Sequence, residues 1–204
     1  MQLVALPLEG KHVRLEPIEE AHREALRAAA NDAGIWQFFP DRGDGRYFDA
    51  LFDGRLVAHR DGSWIVHNVR RLADNAMIGQ SCFLNIDAKS ARVEIGGTWY
   101  IAAARGGAVN PECKLLLMAA AFAAGARRVE LKTDARNTRS RAAILKLGAR
   151  EEGTLRRHTL MWDGFVRDTV YYSVLDEEWA GVRAGLERRL GFPYQGEEGK
   201  SVLF

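Results

Sequence analysis

Residues 104–114, ARGGAVNPECK, combine features that suit a backbone to an anion. Arg105 supplies positive charge, and Gly106 and Gly107 leave the chain bare at the point where a helix must begin. The spacing predicts Asn110 as the N-cap, Pro111 as the first helical residue and Glu112 at the positive end of the helix dipole. A helix start of this kind points free N–H groups outward, which is how a phosphate is held. An ordinary tight turn is the competing reading of the same residues. Upstream, ARVEIGGTWYI (residues 91–101) reads as a strand. Downstream, ECKLLLMAAAFAAGA (112–126) is helix-forming and apolar on nearly every face, so it predicts a buried helix.

The elements around this unit alternate between strands and helices, without a long linker or internal repeat. KHVRLEPI predicts a first strand, EEAHREALRAAAND a first helix, and GIWQFFP an aromatic loop ahead of a second helix. SWIVHNVRR and AMIGQSCFLNID read as paired strands, RRVELKTD as another, and NTRSRAAILKLGA as a helix ending at Gly148. Two further strands flank the Asp163-Gly164 turn before the amphipathic DEEWAGVRAGLERRL. With 204 residues, 47% of them hydrophobic, one core is expected, in one domain over residues 1–192 with a tail over 193–204. A net charge of +2 is too mild to imply nucleic acid. Cys82 and Cys113 supply neither a disulfide framework nor the paired spacing of a metal site, so no metal is expected. No basic start precedes a long apolar run, and no stretch has the length of a membrane span, which predicts a cytoplasmic protein.

The segment RRVELKTDARNTRSRAAILKLGAREEGTLRRH, together with EIGGTW and NPECKLLL, resembles the Gcn5-related N-acetyltransferases (GNAT), in the ribosomal-protein N-terminal acetyltransferase (Rim-type) branch. The resemblance extends over nearly the whole chain. It implies an α/β (α+β) fold with a mixed central sheet of about seven strands and flanking helices. Its fourth and fifth strands splay apart to admit the pantetheine arm of acetyl-CoA. The turn at 105–110 then falls where that family binds the pyrophosphate, so Arg105, Gly106, Gly107, Ala108, Val109 and Asn110 become cofactor-binding candidates. The sequence departs from the family here. Where the usual loop has its two later small residues, this chain has Ala108 and Asn110. Gly96-Gly97 fits the bulge that starts the splay, with Trp99 and Tyr100 lining the arm.

The resemblance marks Glu94 as a base able to take an amine proton, directly or through water, and Ser140 as a proton donor to the departing thiolate. Alternation also offers Glu94 a plain ion pair with Arg92. Asn137 is expected both to cap its helix and to meet the cofactor, with Arg141 nearby. His158 is a substitute base because its relatives' glutamate is replaced here by Thr159; beside two arginines it also reads as a solvated residue. Arg136, Arg139, Arg141, Arg156 and Arg157 offer charge for a 3′-phosphate, or else form a solvated basic face.

Trp36, Phe38 and Phe39 are candidates for the wall of an acceptor site, with core packing as the alternative. An α-amine is partly neutral at cell pH, whereas a lysine costs roughly 3 to 5 kcal/mol to deprotonate. The expectation is therefore an acetyl-CoA-dependent N-acetyltransferase acting on a primary, preferentially α-, amine of a peptide N-terminus or small molecule. The alternative is a non-catalytic acyl-CoA-binding or RNA-associated accessory protein. The sequence leaves open whether the chain forms a homodimer.

Overall fold

In the computed structural model, which describes residues 1–194, eight strands form one sheet in the order β1-β2-β3-β4-β5-β6-β8-β7. They are β1 (Leu8–Glu9), β2 (Val13–Pro17), β3 (Ile65–Arg71), β4 (Ala76–Asp87), β5 (Arg92–Tyr100), β6 (Arg128–Asp134), β7 (Arg150–Leu160) and β8 (Val166–Leu175). The sheet has eight strands rather than about seven because the two-residue β1 is too short to leave any alternation in the sequence. The family's splayed fourth and fifth strands are thus β5 and β6. Nearly all of the expected tail at 193–204 lies outside the described residues.

Every pairing is antiparallel except β5 with β6. A parallel pair needs a crossover, here supplied by α3 (Val109–Ala123). The others are α1 (Arg23–Ala30), α2 (Phe48–Arg60), α4 (Thr138–Leu145) and α5 (Asp176–Leu190). Strand alternation sends side chains to two separate cores. On one face, Leu26, Ala30, Phe48, Phe52 and Leu56 from α1 and α2 pack on Val66, Cys82, Leu84 and Trp99. On the other, Leu115, Leu116 and Met118 of α3 and Val182 and Leu186 of α5 cover Val93, Ile95, Val129, Leu131 and Val174.

The expectation of a buried α3 holds, and its burial includes two charges. Glu112 and Lys114 are both inside. The Glu112 carboxylate accepts hydrogen bonds from the backbone N–H groups of Lys11, of His12 at 2.9 Å and of Val13 at 3.1 Å. It therefore fixes the β1–β2 turn to the first turn of α3, a larger role than favouring the helix dipole. Gly10 permits this approach, since a Cβ there would stand 2.5 Å from the carboxylate. Glu112→Ala orphans three donors that are wholly or partly buried, and about 3 kcal/mol of stability should be lost. A urea midpoint shift worth less than about 1 kcal/mol would show that water replaces the carboxylate without penalty.

Candidate functional site

The site begins at an irregularity in β5. Gln80 of β4 faces Trp99 and Cys82 faces Gly96, so two steps along β4 answer three along β5. The extra residue is accommodated at Gly97, whose φ of +57° favours glycine. Pairing of β5 with β6 runs from Arg92↔Arg128 to Glu94↔Glu130 and then stops, although the strands continue to Tyr100 and Asp134. The bulge and the splay both fall where the resemblance expected them.

Lys114 braces the bulge from below. Its Nζ donates to Ser81 Oγ at 3.0 Å and to Thr98 Oγ1 at 2.6 Å, and these hydroxyls lie 2.7 Å apart. Burial lowers its pKa to about 8. Sequence reasoning missed this role, because its partners come from two strands distant in the chain.

The turn at 105–108 leads into α3, whose N-cap is Ala108 and whose first residue is Val109. Asn110 is therefore within the first turn and is not the cap. Proline is tolerated throughout a first turn, where N–H groups have no intrahelical partner, so Pro111 did not fix the frame. Arg105 Nε donates to the Tyr100 carbonyl at 2.9 Å, which holds the turn against the end of β5. Burial lowers the Arg105 pKa, neighbouring Arg139 adds to this, and Asp32 opposes it. Gly106 has φ +83°, and a Cβ at Gly106 or Gly107 would meet nothing within 4 Å. The backbone here borders open space. The Trp99 and Tyr100 side chains are buried, in opposite cores, so only their backbone could meet a ligand.

Glu94 stands at the last paired position of β5, 1% exposed. Its Oε2 accepts from Asn85 Nδ2 at 2.7 Å and pairs with Lys132 Nζ at 2.9 Å, while Oε1 is buried without a hydrogen-bond partner among the described residues. Arg92 is not its partner, since that side chain meets Asp87 at 3.3 Å and Glu130 at 3.7 Å. Oε1 lies 2.7 Å from where a Gly96 Cβ would be, so the free oxygen is against the bulge.

Across the splay, Asn137 caps α4 by accepting from the Ser140 N–H at 3.0 Å. The Ser140 hydroxyl has no partner among the described residues. Arg141 is tied back to Tyr172 Oη at 3.2 Å and Glu151 at 3.3 Å. His158 does not join Glu94. A bulge with Arg157 at φ +48° leaves it exposed on edge strand β7, bonded to Thr169 and Thr159 and edge-on to Tyr171. The arginines also separate. Arg139 neighbours Arg105, Arg156 and Arg157 line a surface hollow on β7, and Arg136 packs its guanidinium 3.6 Å from the Phe165 ring centre, near Phe38.

The aromatic segment is a 3-10 helix (Ala33–Phe38). Trp36 is 0% exposed, donates to the Ala30 carbonyl at 3.0 Å and packs on Phe39 and Trp99. Trp36 is thus a core residue, and the expectation that it faces an acceptor gives way; Phe39 packs partly buried against the same core. Phe38, half-buried, keeps an outward position. The β7–β8 hairpin fastens this segment from outside: Trp162 Nε1 donates to the Trp36 carbonyl at 3.1 Å and Arg167 Nη1 to the Phe38 carbonyl at 3.0 Å. Beside it, a cavity of about 540 Å³ lies between α2, residues 40–42, Trp64 and Trp162.

This arrangement of a bulged strand, a parted neighbour and a bare turn ahead of a helix is the one the resemblance implied for an acetyltransferase. The Acetyltransferase (GNAT) domain profile matches residues 12–150, and the chain belongs to that family. It is an N-acetyltransferase of the Rim-type branch. It is 32% identical over 177 residues to the Bacillus subtilis (strain 168) protein "Putative ribosomal N-acetyltransferase YdaF", covering 84% of this chain and 94% of that protein. A solved GCN5-related N-acetyltransferase from Brucella melitensis superposes with a TM-score of 0.85 at 26% identity, covering 92% of this chain and 86% of the other. Mycobacterium smegmatis RimJ, solved with CoA-disulfide, shares the fold with a TM-score of 0.71 at 23% identity over 85% of this chain and 87% of its own. Among the described residues no helix is long and apolar enough to cross a membrane.

Two outcomes follow from this geometry. Gly107→Val should weaken coenzyme A binding at least about tenfold in a calorimetric titration, equivalent to about 1.4 kcal/mol. The melting temperature should stay unchanged, since the added side chain meets nothing. Unchanged affinity would remove the turn from the cofactor site. Lys114, depressed from 10.5 to about 8, binds fewer protons folded than unfolded between those pH values. Its contribution to stability therefore rises with pH across that window. The stability of wild type minus that of Lys114→Met should increase from pH 8 to 10.5, and a pH-independent difference would contradict a buried ammonium.

Proposed function

We propose that this chain transfers the acetyl group of acetyl-CoA to a primary amine, preferentially the α-amine of a peptide N-terminus or of a small molecule. The observation that carries the reading is Glu94 Oε1, a buried carboxylate oxygen with no partner, set against the bulge where β5 leaves β6.

The residues present fit acetyl-CoA. Open space over Gly106 and Gly107, at the N-terminus of α3, suits a pyrophosphate on backbone N–H groups. The unpaired inner edges of β5 and β6 suit the amides of the pantetheine arm. When bound, acetyl-CoA supplies an acetyl group activated as a thioester. The protein's part is to deliver an uncharged amine and to dispose of protons. Glu94 accepts the ammonium proton on Oε1, directly or through one water, while Lys132 and Asn85 hold Oε2. Ser140, at the start of α4 with its hydroxyl uncommitted, is the candidate donor to the thiolate. An α-amine, with a pKa near 8, gives up its proton to such an acceptor more readily than a lysine near 10.4.

General-base assistance contributes on the order of 10²–10⁴-fold. Glu94→Gln should therefore lower turnover at pH 7 by at least about tenfold while leaving coenzyme A affinity in place. The deficit should narrow as pH rises past the amine pKa, because the acceptor then loses its proton unaided. Thioester consumption with a panel of amines, followed from pH 6.5 to 9.5, measures this. Normal turnover of the variant at pH 7 would transfer the base role elsewhere.

A further inference from the structure

The cavity beside the aromatic segment holds a charge that the transfer reaction does not use. The buried face of α2 is formed by Phe48, Phe52, Arg55 and Leu56, so a guanidinium is set among core residues. Arg55 is 6% exposed and lines the cavity. Its one hydrogen bond runs from Nη1 to Gln80 Oε1, its Nε is buried without a partner, and no carboxylate among the described residues lies within ion-pairing distance. Gln80 cannot compensate the charge. It is neutral, its Oε1 also accepts from Trp99 Nε1 at 3.1 Å, and its Nε2 is spent on Asn68 at 2.7 Å. Asp41, on the cavity wall, acts on Arg55 through space without forming an ion pair.

The other cation of this cavity is already neutralised. Arg42 makes a two-pronged pair with Asp44 at 2.6 and 2.8 Å and stacks over Tyr47 and Trp162. A buried cation costs several kcal/mol unless an anion meets it. Tyr47, Leu51, Trp64 and Trp162 supply apolar and aromatic walls. Trp64 also ties the cavity to the reaction point, since its Cζ3 stands 3.9 Å from where a Cβ on Gly97 would lie. Trp64 thus lines the cavity that holds Arg55 and also packs near the bulge.

We propose that Arg55 is an anion receptor and that the acceptor amine carries a carboxylate on its own scaffold, close to an apolar or aromatic group. The inference rests on the amine-acetylation reading and specifies its acceptor. A guanidinium matches a carboxylate in planar geometry and charge, and the burial of Arg55 strengthens the pair. The carboxylate can be a free C-terminus, as in a small amino acid derivative or dipeptide, or an acidic side chain next to a peptide N-terminus.

Four peptides separate these sources: Ala-Phe against Ala-Phe-amide, and Ala-Glu-Phe-amide against Ala-Gln-Phe-amide. Each is titrated calorimetrically into the protein saturated with coenzyme A, and each is then assayed for acetylation. At least one acid should bind about tenfold or more tighter than its neutral partner, and the pair that discriminates identifies the source. Arg55→Gln should erase the discrimination with coenzyme A affinity retained. Gly54→Leu is a second variant that does not risk the fold, because a Cβ at Gly54 meets nothing within 4 Å; it should weaken binding of the acid by filling the cavity. Equal binding of acid and neutral peptides in both pairs, or discrimination that survives Arg55→Gln, overturns the proposal. Arg55-dependent binding without acetylation would sink the transfer reading and leave the receptor standing. Acetylation of acid and neutral peptides alike would do the reverse.

Discussion

β5 and β6 can share hydrogen bonds only from Arg92 to Glu94 and from Arg128 to Glu130, and the rest of the molecule is organised around that limit. Each strand is held on its outer side, β5 by β4 and β6 by β8, so neither can swing round to pair elsewhere. Backbone polar groups removed from water must find partners. Those on the inner edges beyond the split have no partner strand. The extra residue at Gly97 enforces the split, because it turns β5 away while keeping its pairing with β4.

Glu112 and Lys114 of α3 and Glu94 of β5 are buried charges, and each is stabilised differently. Glu112 is saturated by main-chain donors and acts as a clasp between the sheet edge and α3. Lys114 is met only by hydroxyls and holds Thr98 in the bulge, with a lowered proton affinity as the result. Glu94 is held by one oxygen and left free at the other. The first two shape the backbone, and the third keeps an unsatisfied oxygen among the described residues.

Local signals in the sequence were sufficient for the strand-turn-helix unit and the Asn137 cap, because each depends on neighbouring residues only, whereas the bulge at Gly96-Gly97 was legible through the family resemblance. The start of α3 was misplaced by two residues because proline is equally at home anywhere in a first turn. Partners set by strand order were out of reach. Alternation offered Arg92 to Glu94, but the neighbour that arrives is Lys132, from a strand placed alongside by the crossover through α3. Three aromatics in four residues could not tell wall from core; Trp36 went inside because Trp99, across the sheet face, offered it a ring to pack on. The roles of Lys114, Trp162 and Arg167 likewise depend on contacts far along the chain.

The hairpin that fastens the aromatic segment has a consequence for how the protein is made. Trp162 and Arg167 reach the carbonyls of Trp36 and Phe38 across 126 and 129 residues of chain. During synthesis from the N-terminus, α1, α2 and the first five strands leave the ribosome well before β7 and β8. Until that hairpin emerges and pairs with β6, the segment lacks its outer fastening and β6 lacks its second neighbour. A nascent chain that stops short of β7 therefore holds Glu94, the bulge and the turn before α3 beside an aromatic segment without its outer hydrogen bonds. The aromatic segment is therefore fastened only after the chain has been made through β8.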